Sequence, residues 1–221
     1  MDVQTNLKKV LSGIPPYVKL VAVSKTKPVE MIQAAYDVGQ RDFGENKAQD
    51  MAAKFPQLPQ DIRWHFIGHL QTNKVKYIAP FVSLIHAADS LKILKEINKQ
   101  AKKHDRIINC LLEFHIAAEE SKFGLTMETA ESILPSEEFA QLQNIRLCGV
   151  MGMATYTDDT EQIREEFRHL ISVFNQLKDK YFKGFGHFKE ISMGMSGDYP
   201  VAIEEGATIV RVGSKIFGAR G

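Results

Sequence analysis

The sequence predicts one closed (β/α)₈ barrel of the TIM type, with residues 1–221 forming a single domain. Short runs rich in valine, isoleucine, leucine and phenylalanine alternate with longer segments of helical period, which is typical of βα units around a parallel sheet. Eight such runs occur, and their units use almost all of the 221 residues. We therefore prefer the closed barrel to an open doubly wound sheet, and expect no second domain.

The elements follow in the order of an extra helix and then eight strand–helix units. The extra helix is predicted around residues 3–11. The predicted strands are 18–24, 41–45, 63–68, 82–88, 107–115, 146–153, 188–194 and 208–213. A helix candidate lies between each pair of successive strands, which is the arrangement that parallel strands require.

Two of the connecting helices have clear sequence signals. The first begins at 26–28, where a proline lacks an N–H that the first turn would leave unpaired, and ends at Gly39. The longest helix is predicted over 158–182, where apolar residues recur at steps of three and four. Asp158 and Glu161 have the spacing of a capping box, so we expect Asp158 to cap this helix.

Composition limits the classes of function. With 44% hydrophobic and 25% charged residues the chain is typical of a globular domain, and a net charge of +1 gives no general attraction for nucleic acid or membranes. The basic segment 91–106 has a helical apolar stripe, which favours a solvated outer helix over a nucleic-acid site. A small-molecule partner is therefore expected.

The two cysteines and the absence of targeting signals indicate the compartment. Cys110 and Cys148 each lie within an apolar run, where a free thiol behaves as a small hydrophobe. This favours a reducing compartment, although the sequence leaves a disulfide between them open. Neither a secretory signal nor a membrane span is recognisable, so a cytoplasmic protein is expected.

Polar residues at the predicted strand ends indicate a site. In such barrels the reacting groups lie at the carboxyl ends of the strands, and phosphate is commonly bound after strands 7 and 8. Alternation along strand 1 places Lys25 at this end. Ser196 follows strand 7, and Gly213 and Ser214 follow strand 8 with backbone N–H groups and a hydroxyl. Because strand 8 pairs with strand 1 in a closed barrel, we expect a phosphate site close to Lys25.

Arg211 precedes this phosphate site on strand 8. It alternates with Val210 and Val212, so it points into the barrel if those valines pack on the helices. A lysine beside a phosphate site suits a phosphorylated aldehyde held as a Schiff base, and pyridoxal 5′-phosphate (PLP) is the obvious candidate. A guanidinium beside the pyridine nitrogen would keep that nitrogen unprotonated and weaken the ring as an electron sink.

Several longer motifs occur in order along almost the whole chain. They are AVSKTKP, DFGEN, WHFIGHLQTNK, CGVMGMAT, SMGMSGDYPVAIEEGAT and RVGSKIFGAR. Together they resemble the pyridoxal phosphate homeostasis protein family, whose fold is similar to the N-terminal barrel of alanine racemase, the fold type III barrel of PLP proteins. The resemblance implies that Lys25 carries PLP as an internal aldimine and that Arg211 faces its pyridine nitrogen. It further implies that Ser196, Gly213 and Ser214 contact the phosphate, and that Asn46 and His69 line the pocket.

The first hypothesis is a protein that binds PLP with little or no catalysis and buffers or delivers it, with apo PLP enzymes as transient partners. In alanine racemase a second domain helps to supply the opposite catalytic base, and the length of this chain predicts none. The second hypothesis is a PLP-dependent amino-acid racemase that uses Lys25 with His69 or His115. The third is an aldolase in which Lys25 acts on a sugar phosphate without a cofactor.

Simpler interpretations of these residues remain open. The alternative for Lys25 is that it is an ordinary solvated lysine, and the alternative for Arg211 is that it forms a structural ion pair. His65 and His69 have the spacing of a helical metal pair, but they lie on either side of a strand end and do not share a helix face. We therefore predict no metal site.

Overall fold

A computed structural model describes residues 2–118 and 123–219. Eight parallel strands form a closed barrel in chain order, and β1 pairs with both β2 and β8. The strands are β1 (Lys19–Val23), β2 (Asp42–Glu45), β3 (Arg63–Phe66), β4 (Leu84–Ala88), β5 (Ile108–Phe114), β6 (Ile145–Gly152), β7 (Glu190–Ser192) and β8 (Ile209–Val212). The predicted fold class is confirmed, and each strand coincides with a predicted one to within a few residues.

Helices surround the barrel. They are α1 (Val3–Ser12), α2 (Val29–Asp37), α3 (Ala48–Lys54), α4 (Val75–Ile78), α5 (Leu91–Lys103), α6 (Met127–Ile133), α7 (Glu137–Ala140), α8 (Thr160–Tyr181), α9 (Tyr199–Glu204) and α10 (Ser214–Phe217). Short 3₁₀ turns at Phe55–Gln57 and Thr72–Lys74 complete the connections. In the part of the chain that the structure describes, no helix is long and apolar enough to cross a membrane.

The long helix α8 corrects one prediction. Its N-cap is Asp159, whose carboxylate accepts hydrogen bonds from the backbone N–H groups of Glu161 and Gln162. The predicted cap, Asp158, is therefore wrong by one residue. The side chain of an N-cap residue reaches the N–H groups two and three positions later, and Asp159 has this spacing in the helix as it forms.

Two groups of buried apolar residues lie on the two sides of the sheet. The large outer group lies between the strands and the helices and includes Val210 and Val212. A small inner group fills part of the barrel: Val21, Leu84, Leu111, Cys148, Met151 and Ile209. Arg211 lies between the two valines on β8, so it points into the barrel, as predicted.

The two cysteines are both buried and both free. Cys148 belongs to the inner group and Cys110 to the outer one, so they lie on opposite faces of the sheet. The disulfide that the sequence left open is therefore not formed.

We call the end of the barrel where the carboxyl ends of the strands emerge the mouth, and the opposite end the base.

Candidate functional site

Lys25 leaves the end of β1 at the mouth and is half-buried. It lies in a tight turn in which the N–H of Lys27 donates to the carbonyl oxygen of Ser24 at 3.0 Å. The next residue, Thr26, has a φ of +65°, a conformation that is rare for a β-branched side chain and costs about 1–3 kcal/mol. Backbone strain is therefore stored directly beside Lys25.

A buried ion pair holds the residue that precedes Lys25. The fully buried carboxylate of Glu45, at the end of β2, accepts from the Ser24 hydroxyl at 2.7 Å and lies 2.6 Å from the Lys54 Nζ. Lys54 also donates to the Ser24 carbonyl oxygen at 3.0 Å. Burial raises the pKa of Glu45, and the ammonium of Lys54 opposes that effect. This group fixes the exit of β1 to β2 and α3, and the sequence analysis did not identify it.

The loops after β7 and β8 are joined by a hydrogen bond, from the N–H of Gly213 to the Ser196 hydroxyl at 3.1 Å. A methyl group added at Gly213 would lie 3.1 Å from the backbone oxygen of Val23, so this glycine lets the loop pack directly on β1. Ser214 is exposed and begins α10, where the first turn of a helix leaves N–H groups without internal acceptors. Ser196, Gly213 and Ser214 therefore form a cradle beside the strand that carries Lys25.

Arg211 is buried inside the barrel below this cradle. Its Nη1 donates to the Ser192 hydroxyl at 2.6 Å and its Nη2 to the carbonyl oxygen of Gly152 at 3.1 Å. Burial lowers the pKa of Arg211 to about 10, which leaves the guanidinium charged at neutral pH. Among the described residues no carboxylate pairs with it, so these contacts do not support the structural ion pair.

Glu113 is a further buried ionisable side chain that the sequence analysis missed. It shares the inner face of β5 with Leu111, is only 3% exposed, and its Oε2 has no hydrogen-bond partner. Burial raises the pKa of Glu113 to about 7, a rise to which Asp89 contributes and which Arg211 opposes. A charged residue in the apolar run IINCLLEFH was the signal that could have identified it.

Asn46 and His69 lie together at one side of the mouth, where they line a cavity of about 230 Å³ between the loops after β2 and β3. These loops touch, since a methyl group added at Gly68 would come within 2.4 Å of the Asn46 backbone oxygen. The exposed ring of His69 stacks on Phe123 at 3.9 Å, and its Nδ1 lies 3.3 Å from Asp89 Oδ2. This cavity is not lined by Lys25, Ser196 or Arg211.

His65 and His69 are separated by the end of β3, with His65 buried in the barrel and His69 on the rim. Within residues 2–118 and 123–219, no group of three or more His, Cys, Asp or Glu side chains is arranged so that it could hold a metal ion. The other histidine considered from sequence, His115, follows β5 and is half-buried.

Comparison with known protein families agrees with the fold and also shows similarity in amino-acid sequence. The profile of the family described as alanine racemase, N-terminal domain, matches residues 2–221. The chain is 40% identical to the pyridoxal phosphate homeostasis protein of Aquifex aeolicus over 203 residues, covering 91% of this chain and 87% of that protein. It is 37% identical to the protein of the same name from Synechocystis, covering 96% of both chains.

Solved structures show the same barrel. PipY of Synechococcus elongatus, determined without PLP, superposes with a TM-score of 0.91 at 32% identity, covering 98% of this chain and all of that one. The PipY structure with PLP bound gives a TM-score of 0.87 with the same identity and coverage. Alanine racemase from Bartonella henselae has a TM-score of 0.71 at 12% identity, covering 99% of this chain and 59% of the racemase, which is a likeness of fold.

Proposed function

The chain belongs to the family of the pyridoxal phosphate homeostasis proteins, and we propose on that premise that it binds PLP at the barrel mouth and buffers or delivers it. One observation carries this proposal for the site. The cradle of Ser196, Gly213 and Ser214 packs on β1 two residues before Lys25, so an amine and an anion site belong to neighbouring strands.

The mouth has the groups that PLP requires. The cradle provides a hydroxyl and backbone N–H groups for the phosphate, and Gly213 has no side chain to keep a ligand from its backbone. The charged and buried Arg211 suits the pyridine nitrogen. Glu113 Oε2 is a buried polar atom without a protein partner, which is consistent with a polar ligand group nearby. The residues present therefore fit the cofactor.

Bound PLP supplies an aldehyde carbon to which an amine can be joined reversibly. The Lys25 amine adds to that carbon and one water molecule leaves, so addition of water restores both the free amine and the aldehyde. Lys25 is half-buried, so its amine remains accessible to the water that release requires. Asn46 and His69 line the adjoining side of the mouth and limit access there.

We assign binding rather than turnover to this site. A guanidinium that stays protonated at neutral pH keeps the ring nitrogen unprotonated, and this limits the ring's ability to stabilise a carbanion. Delivery to apo PLP enzymes in the cytoplasm is the role we propose, and the two free thiols suit a reducing compartment. Exchange of the Cα hydrogen of amino acids in deuterium oxide, faster than with free PLP, would instead favour the racemase.

Reduction of the PLP-loaded protein with borohydride tests the assignment of Lys25. Mass spectrometry is expected to find the phosphopyridoxyl group on the peptide that contains Lys25, and Lys25→Ala is expected to lose both this adduct and the yellow absorbance of the loaded protein. Lys47→Ala is the matched control, because Lys47 is an exposed lysine that follows β2 at the same end of the barrel. An adduct on another residue, or unchanged absorbance in Lys25→Ala, would contradict the assignment.

A further inference from the structure

A chain of hydrogen bonds crosses the barrel interior from Arg211 to Asp42. Arg211 Nη1 donates to Ser192 Oγ at 2.6 Å, and Ser192 Oγ lies 2.9 Å from His86 Nδ1. His86 Nε2 lies 2.9 Å from His65 Nδ1, and His65 Nε2 lies 2.9 Å from Asp42 Oδ1. The five side chains come from five different strands and all are buried, so we call them the interior relay.

The two ends of the interior relay fix the direction of its hydrogen bonds. Arg211 can only donate, so Ser192 Oγ accepts from it and its own hydrogen is free to go to His86 Nδ1. His86 then carries its hydrogen on Nε2 and donates to His65 Nδ1. His65 likewise donates from Nε2 to the Asp42 carboxylate. Every donor thereby has one acceptor when both histidines are neutral.

The opposite direction leaves a buried hydrogen without an acceptor. A protonated His65 would donate from Nδ1, which would require His86 to accept at Nε2 and to donate from Nδ1 to Ser192. Ser192 would then accept from both His86 and Arg211, and its hydroxyl hydrogen would have no partner among the described residues. An unsatisfied buried donor of this kind is unfavourable.

Burial and the nearby positive charges also favour the neutral forms of the histidines. Burial lowers the pKa of His65, and Lys19 and Arg63 act in the same direction, although Asp42 raises it. Burial lowers the pKa of His86 well below its usual value, and His65, Arg211 and Lys19 lower it further. These are the charged groups that act on the two rings from β1, β2, β3 and β8.

The base end of the interior relay is held by an ion pair. Arg63 Nε and Nη2 lie 2.9 and 2.6 Å from the two carboxylate oxygens of Asp42, and this pairing together with the bond from His65 holds the pKa of Asp42 well below its usual range. A cavity of about 350 Å³ at the base is lined by all three residues. The relay therefore runs from a group that cannot accept to a group that cannot donate.

We propose that Ser192, His86 and His65 are positioning residues that hold the Arg211 guanidinium in the orientation required to face the ring nitrogen of PLP. Arg211 has no carboxylate partner among the described residues, so its orientation depends on Ser192 and on the Gly152 carbonyl. The role toward PLP rests on the proposed function. The direction of the hydrogen bonds does not, because it follows from the protein alone.

Nitrogen NMR of the ligand-free, ¹⁵N-labelled protein tests the direction of the interior relay. The side chains of His65 and His86 are expected to be neutral, with the hydrogen on Nε2, throughout the range from about pH 6 to pH 8 in which an exposed histidine titrates. His65→Gln and His86→Gln assign the signals. A protonated ring, or a hydrogen on Nδ1 of either histidine, would overturn the inference without reference to PLP.

Ser192→Ala tests the positioning role, because it removes one hydroxyl from a buried strand and leaves both neighbours in place. The dissociation constant for PLP is expected to rise at least about tenfold, as for loss of a hydrogen bond to a charged group. The ring nitrogen of bound PLP is also expected to take up a proton at higher pH than in the wild type, seen as a shift in the pH dependence of the absorbance. A merely structural defect would not cause that shift.

Cys148→Ala is the matched control, because Cys148 also lies in the barrel interior, and the hydrogen bond described for its thiol goes to the Arg146 carbonyl oxygen and not to the interior relay. It is expected to bind PLP as the wild type does. A folded Ser192→Ala with wild-type affinity and pH dependence would refute the positioning role. A wild type that fails to bind PLP would refute the proposed function instead, and the NMR result would still decide the direction of the relay even if Ser192→Ala fails to fold.

Discussion

Replacing Glu113 by glutamine is expected to stabilise the ligand-free protein above pH 7. The corresponding effect of the charge at pH 5 is expected to be small. Glu113 is buried on the inner face of β5 with an unpartnered carboxyl oxygen, and burial raises its pKa from 4.5 to about 7. Between these values the folded protein holds a proton that the unfolded chain has released. Stability therefore falls as the pH rises from about 4.5 to about 7 and stays at the lower level above it.

The magnitude follows from the two pKa values of Glu113. The interval from 4.5 to about 7, at about 1.4 kcal/mol for each pH unit, corresponds to about 3 kcal/mol of lost stability at pH 8. The attraction between Arg211 and the ionised Glu113 carboxylate lowers the pKa of Glu113, and the value of about 7 already includes this effect. Glutamine has nearly the same shape and no charge, so Glu113→Gln removes the whole pH-dependent cost.

Urea unfolding at pH 5 and pH 8 measures this effect. The difference in unfolding free energy between Glu113→Gln and the wild type is expected to be about 2.5 kcal/mol more favourable to the variant at pH 8 than at pH 5, because a small part of the loss has already occurred at pH 5. Comparing two pH values removes any packing effect that is common to both. Glu165→Gln, an exposed glutamate of α8, is the control and should show no such difference. Equal effects of Glu113→Gln at both pH values would refute the reasoning.

Two further changes test the packing of the site. Lys54→Met leaves the Glu45 carboxylate buried without its cation, and we expect the free energy of unfolding measured in urea to fall by about 3–5 kcal/mol. Changing an exposed lysine of α5 to methionine should not reproduce this loss. Gly213→Ala presses a methyl group against the Val23 backbone oxygen, so PLP affinity should fall along with about 1–3 kcal/mol of stability. Gly197→Ala has open space around its methyl group and should leave both unchanged.

The barrel and the inward direction of Arg211 could be predicted because both depend on local patterns. Strands are identified by their own apolar runs, and alternation with Val210 and Val212 assigns Arg211 to a face. The cradle was predicted for the same reason, since Ser196 and Gly213 each follow a strand end.

The interior relay could not be predicted in this way. Asp42, His65 and His86 lie on β2, β3 and β4. The next residue of the relay, Ser192, lies on β7, more than a hundred positions after His86. Which of these side chains meet depends on the strand register and on the height of each residue inside the closed barrel, and neither is encoded locally. Glu113 was missed because the continuous apolar run around it gives no clear alternation that would assign its one charge to a face of the strand.

The contact of Gly213 with β1 lies at the seam where the first and last strands of the barrel meet. Lys25 and Gly213 are far apart in sequence, yet β1 and β8 pair from Lys19 with Ile209 to Ala22 with Val212. Under the proposed function, a ligand joined to Lys25 and bound at Gly213 would span this seam and would act as a removable crosslink between β1 and β8. Release of PLP to a recipient would then remove this crosslink, so the resistance of the protein to unfolding is expected to report how much cofactor is still bound.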